Sequence, residues 1–96
     1  MASLIFSRQA VELSDFMKAE LERVAKKVGG RGKVEVRSYA GGLDPYSLKV
    51  SLARALLVRS YLIDQGLKSR DVEVWTPIAD GTGGQGERVD VLAPNL

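Results

Sequence analysis

The residue types that carry most enzyme chemistry are missing from this chain of 96 residues, which has no histidine and no cysteine. The usual general base, the commonest imidazole metal ligand and the thiolate nucleophile are all excluded. Carboxylates are plentiful, but acid–base hydrolysis needs two at a defined separation. Only Asp44 stands in a suggestive loop, and nothing marks a second acid to work with it. An enzyme is therefore not expected, and neither a cofactor nor a metal is implied. What remains is ionic recognition. Arg54 lies just after the loop Ala40–Pro45, near the start of a largely apolar stretch. Such an arginine either pairs with a nearby carboxylate while its stem covers apolar surface, or forks onto a ligand carboxylate. Composition alone favours the structural role.

Two glycine-rich stretches and one basic cluster invite other chemistry. Gly29-Gly30-Arg31-Gly32-Lys33 has the look of a phosphate loop. A phosphate loop follows a strand and opens a helix so that helix N-terminal amides face the anion; this one follows a helix and opens a strand, so it reads as a turn. Gly81-Thr82-Gly83-Gly84-Gln85-Gly86 could approach a ligand closely, but such a loop is more often a connection. Net charge is +2, divided as +3 over residues 1–37 and −1 over residues 38–96. Lys26, Lys27, Arg31, Lys33 and Arg37 make the local peak. They lack the interleaved aromatics of a single-strand nucleic-acid binder, so a solvated face is the preferred reading and nucleic acid is disfavoured.

The elements that must position Arg54 can be read from periodicity. Leu4-Ile5-Phe6 reads as a first strand. From Leu13 to Val28, apolar residues recur at helical spacing (Leu13, Phe16, Met17, Leu21, Val24, Ala25, Val28), with Ser14 available as a cap and Gly29-Gly30 as the stop. Lys33 to Tyr39 alternates with period two, as a strand does. A second helix runs from Tyr46 or Ser47 to Gln65 and ends at Gly66. It is apolar on more than one side, which predicts deep burial or a partner surface. Asp71 to Ile78 alternates again, with Val72, Val74, Thr76 and Ile78 on one face and Pro77 marking an end or an edge. Arg88 to Leu92 is the last strand. The order βαβαββ predicts an α+β domain: a four-stranded mixed sheet, parallel where helices make the crossovers and antiparallel at the last strand, with two helices on one face. No run of about 18 apolar residues is present to span a membrane.

The second helix carries a distinctive order: Ser51-x-x-Arg54-Ala55-x-x-Val58-x-x-Tyr61-Leu62-Ile63-x-x-Gly66. It resembles the second helix of the OmpA-like C-terminal domain, the peptidoglycan-binding module of outer-membrane proteins, of the Pal lipoprotein and of flagellar stator proteins. The resemblance extends to Ile5-Phe6, to the helix Leu13–Val28 and to Arg88-Val89-Asp90, which matches the family's Arg-Val-Glu or Arg-Val-Asp strand. It implies that the last strand inserts between the first two. It also implies a site for the zwitterionic diaminopimelate of the stem peptide, in which an arginine clamps the carboxylate and an aspartate holds the ammonium. Arg54 matches the arginine. The family's loop aspartate falls on Gly41, the asparagine before the helix falls on Ser47, and the loop is about two residues shorter.

Half of the charge pair is thus absent from its usual place. A charge-assisted hydrogen bond contributes about 1.5–3 kcal/mol, or roughly one to two decades of affinity. Asp44 is the replacement suggested by the sequence. The peptide N–H groups of Gly41 and Gly42 suit a carboxylate but not an ammonium. The expected ligand-binding set is Arg54, Asp44, Gly41, Gly42, Ser47 and Arg88. The resemblance implies one domain over residues 1–96, cut from a longer envelope protein of a Gram-negative periplasm, with any membrane attachment through an upstream anchor. Two functions follow: a peptidoglycan-binding tether with a degenerate site, or a scaffold that has lost the ligand and mediates protein interaction or dimerisation.

Overall fold

The computed structural model describes residues 1–7, 10–79 and 87–94. The glycine-rich stretch 81–86 lies outside the described residues. The elements run β1 (Ala2–Ile5), α1 (Asp15–Val28), β2 (Val34–Ala40), α2 (Pro45–Asp64), β3 (Val72–Val74), β4 (Ile78–Ala79) and β5 (Arg88–Leu92), with a 3-10 turn at Ser69–Asp71 before β3. No described helix is long and apolar enough to cross a membrane.

Local chemistry explains the helix ends. Ser14 caps α1, its hydroxyl accepting from the Met17 amide at 3.2 Å. Asp15 in the first turn and Lys26 and Lys27 in the last complement the helix dipole. Gly29 closes the helix in the left-handed region at φ 53°, its amide donating to the Ala25 carbonyl at 2.9 Å. This is the turn expected of the Gly29–Lys33 stretch. Helix α2 starts one residue before the expected range, because Pro45 can occupy the first helical position without losing a hydrogen bond. Asp44 is its cap. At the far end Gly66, at φ 111°, turns the chain so that the Leu67 amide reaches the Leu62 carbonyl at 3.2 Å.

The sheet has the order β1-β5-β2, and β3 and β4 share the next position along the free edge of β2. β5 is antiparallel to both neighbours, while β3 and β4 run parallel to β2. The expected four-position mixed sheet with an inserted last strand is therefore present. The continuous strand expected over Asp71–Ile78 is not. Pairing stops after Trp75, whose amide donates to the Val36 carbonyl at 2.9 Å, and resumes at Ile78. Pro77 has no N–H to offer in the gap, and Thr76, expected on the inner face, is exposed.

Both helices cover one face. Along β2 the residues alternate buried and half-buried, and β5 does the same. Val34, Val36, Val89 and Val91 from the sheet meet Leu21, Val24 and Val28 of α1 and Ala55, Val58 and Leu62 of α2 in one core. Phe16, counted with the inner face of α1 by spacing, is instead 69% exposed; it sits at the margin of the stripe, beside the buried Met17. Arg59 fastens the end of the 3-10 turn, donating to the carbonyls of Val72 and Ser69 at 3.2 Å each.

The helix-free face of the sheet carries charges and rings. Arg37 stacks on Trp75 at 3.9 Å and bonds Glu35 at 2.7 Å. Arg88 stacks on Tyr39 at 3.9 Å and pairs with Asp90. The Ser3 hydroxyl donates to Asp90 at 2.7 Å. The basic cluster of the sequence is thus dispersed: Arg31 turns back onto the carbonyls of Lys27 and Val28 at the end of α1, whereas Arg37 lies on the sheet.

Candidate functional site

Arg54 is the largest of the fully buried side chains, with 1% of its surface exposed. Helix α2 delivers it from the same face as Ser51, Ala55, Val58 and Leu62, toward the connection between β1 and α1. Nε donates to the Ala10 carbonyl at 2.6 Å and Nη2 to the Ser7 carbonyl at 3.0 Å. The guanidinium carbon lies 4.9 Å from the centre of the Phe6 ring. The remaining corner, Nη1, faces the Glu87 carboxylate at 3.3 Å. A buried cation is tolerable only when paired and hydrogen-bonded, and two segments meet that demand here, the β1–α1 connection with two carbonyls and the residue before β5 with a carboxylate.

Glu87 is the residue that sequence reasoning missed. It immediately precedes β5, and its carbonyl accepts from the Phe6 amide at 3.1 Å. Residue Arg88 pairs with Tyr39 in the β2–β5 ladder. One step further in that register sets Glu87 across from Ala40, beside the Gly41 turn. A Cβ placed on Gly41 would lie 3.2 Å from the Glu87 Cγ and 3.6 Å from its Oε1. The available signal was a carboxylate directly before a strand that the resemblance places against β2.

The other expected site residues divide into two groups. Asp44 and Ser47 engage each other. Asp44 accepts from the Ser47 amide at 3.0 Å and from the Ser47 hydroxyl at 2.8 Å. Asp44 thus caps α2 and makes no bond to Arg54. A Cβ on Gly42 would press on Asp44 Oδ1 at 3.0 Å, so that glycine leaves room for the cap. Arg88 is directed to the opposite side of the sheet, where Tyr39 and Asp90 hold it. The structure brings Arg54, Gly41 and Glu87 together; it does not bring Arg88 to them.

The bonds from Ser47, its amide first and then its hydroxyl, hold the Asp44 carboxyl below the ordinary aspartate value. A folded-state pKa below the unfolded one stabilises the fold at neutral pH, and that contribution disappears as pH falls through the folded value. Asp44→Ala should therefore lower Tm at neutral pH and flatten the loss of stability below about pH 4. Thermal melts of both proteins across acid pH measure this. Parallel acid limbs would show that the cap does not carry the effect.

A family model described as OmpA family matches residues 5–89 of the chain. Among curated protein sequences none matches. Solved structures similar in fold include the OmpA-like domain of FopA1 from Francisella tularensis, at 20% identity and TM-score 0.77, covering 94% of this chain and 69% of that one. The peptidoglycan-associated lipoprotein from Burkholderia pseudomallei aligns at 19% identity and TM-score 0.76, covering 94% and 87%. The C-terminal domain of Helicobacter pylori MotB aligns at 16% identity and TM-score 0.74, covering 96% and 83%. At these identities the structural likeness establishes the fold alone.

Proposed function

The chain belongs to the OmpA family, and from that premise we propose that it is a non-covalent peptidoglycan-binding module, recognising the diaminopimelate stem peptide and tethering an envelope protein to the cell wall in the periplasm. The observation that carries this reading is the preorganised Arg54. The Ser7 and Ala10 carbonyls fix two corners of its guanidinium and leave Nη1 to face Glu87, whose side chain lies beside Gly41. A guanidinium fixed in this way loses little freedom when it meets a ligand carboxylate. One of the fold neighbours is a peptidoglycan-associated lipoprotein, which supports the same reading.

The test is an NMR titration of the labelled domain with a soluble diaminopimelate-containing muropeptide. Saturable shifts concentrated at Gly41–Asp44, around Arg54 and at Glu87 are the expected result. A silent spectrum at millimolar ligand would refute the proposal.

A second reading is a scaffold that has kept the fold and given up the ligand. It is supported by the internal acceptors that already engage all three nitrogens of Arg54, and by the exposure of Leu52 and Leu56, one turn apart on α2. An exposed apolar stripe is a common mark of an interface. A silent titration together with a dimer in sedimentation would favour it.

A further inference from the structure

The family resemblance leaves one question at the site: a zwitterionic ligand needs an acid for its ammonium, and position 41 is glycine. We infer that Glu87 is the ammonium-binding carboxylate, so that the acid has moved from the loop after β2 to the head of β5. This inference rests on the peptidoglycan-binding reading and specifies how that ligand is recognised.

Three observations carry it. The first is steric. An aspartate at position 41 would have its carboxyl carbon about 1.5 Å beyond its Cβ, and that Cβ would lie 3.2 Å from Glu87 Cγ and 3.4 Å from Glu87 Cδ. The Glu87 side chain therefore crowds the space that a side chain at 41 would claim. Its carboxylate stands at the same mouth, arriving from another strand. An acid at 41 would press on the Glu87 side chain and repel its charge.

The second is the geometry of the ion pair. Arg54 Nη1 and Glu87 Oε1 stand 3.3 Å apart, longer than a strong charge-assisted hydrogen bond, whereas Nε lies at 2.6 Å from its carbonyl. The guanidinium is thus anchored by the main chain and only loosely held by Glu87. A ligand carboxylate can take Nη1 without dislodging the arginine.

The third is access. The Glu87 side chain keeps 27% of its surface exposed while that of Arg54 keeps 2%. Its Oε2 carries no hydrogen bond among the described residues. The pair presents solvent with an acid in front of a recessed cation, adjacent and opposite in sign. That arrangement is complementary to a ligand carrying an ammonium and a carboxylate on one carbon. It is poorly suited to a simple anion, which would meet the acid first. Asp44, with both of its oxygens turned to Ser47, is not needed for this role.

The experiment uses two ligands and three proteins. One ligand is the diaminopimelate muropeptide; the other is the same muropeptide with its side-chain amine acetylated. The original protein should bind the free-amine ligand roughly ten- to a hundredfold more tightly than the acetylated one. Glu87→Gln should lose that preference, weakening only the free-amine ligand. The double variant Glu87→Gly with Gly41→Asp should recover it, because the cleared space admits an acid from the loop. Equal weakening of both ligands by Glu87→Gln would mark a structural role and overturn the inference, as would an unchanged preference. In either case binding by the original protein leaves the functional reading standing. If the original protein binds neither ligand, that reading fails and the inference fails with it.

Discussion

Arg54→Ala should destabilise the domain by about 3–5 kcal/mol, the cost typical of removing one partner from a buried charge network. Three losses combine. The carbonyls of Ser7 and Ala10 lose a charged donor, Glu87 loses its counter-ion, and the space of the largest fully buried side chain is emptied. For a domain of this size each kcal/mol lowers Tm by roughly 4–8 °C. Against a total stability of about 5–15 kcal/mol, much of the margin would go. Urea unfolding of the two proteins checks the value, and a change below about 1 kcal/mol would show that water replaces the arginine without difficulty. Arg54→Lys should lie between them. A single ammonium keeps the charge but cannot reach two carbonyls and a carboxylate at once. Retention on purified cell-wall sacculi, measured where the Arg54→Lys variant is still folded, separates the ligand role from the structural one: lost retention with a retained fold supports the peptidoglycan reading.

Leu62→Ala should cost about 2–5 kcal/mol, whereas Leu56→Ala, six positions earlier on the same helix, should stay within about 0.5 kcal/mol. Leu62 has no exposed surface and belongs to the core shared with Val58 and Leu21. Leu56 is 48% exposed. Deleting a side chain from a packed interior removes both its transfer free energy and its neighbours' contacts. Deleting one from a surface removes little of either. Denaturation midpoints of the two variants decide the matter. A comparable loss at Leu56 would reveal that its side chain is covered in solution by another molecule, as the scaffold reading requires.

Those two leucines show how far the sequence could be read. Both are apolar and both lie in a helix that is apolar on several sides, so periodicity could not rank them. The stripe on α1 was clearer. Its helical spacing identified Met17, Leu21, Val24, Ala25 and Val28, and erred at Phe16 on the margin and at Leu13, which packs against the core from before the Ser14 cap and not from the helix. The strand expected over Asp71–Ile78 failed for a related reason. Its alternation is real, but whether a residue pairs depends on the neighbouring strand, and Pro77 interrupts the ladder with β2.

The sequence by itself determined the local features: the caps at Ser14 and Gly29, the end of α2 at Gly66, the period of each element and the family motif around Arg54. Such signals act over three or four residues, through hydrogen bonds and backbone preferences that need no distant partner. Only the tertiary structure decided the surroundings of Arg54. Its bonds to Ser7 and Ala10 span 47 and 44 residues, and its bond to Glu87 spans 33. Which acid faces a buried cation is settled by strand register, where one step moves a side chain to the other face of the sheet. Glu87 faces Arg54 and Arg88 does not because β5 pairs with β2 in the register Tyr39 to Arg88.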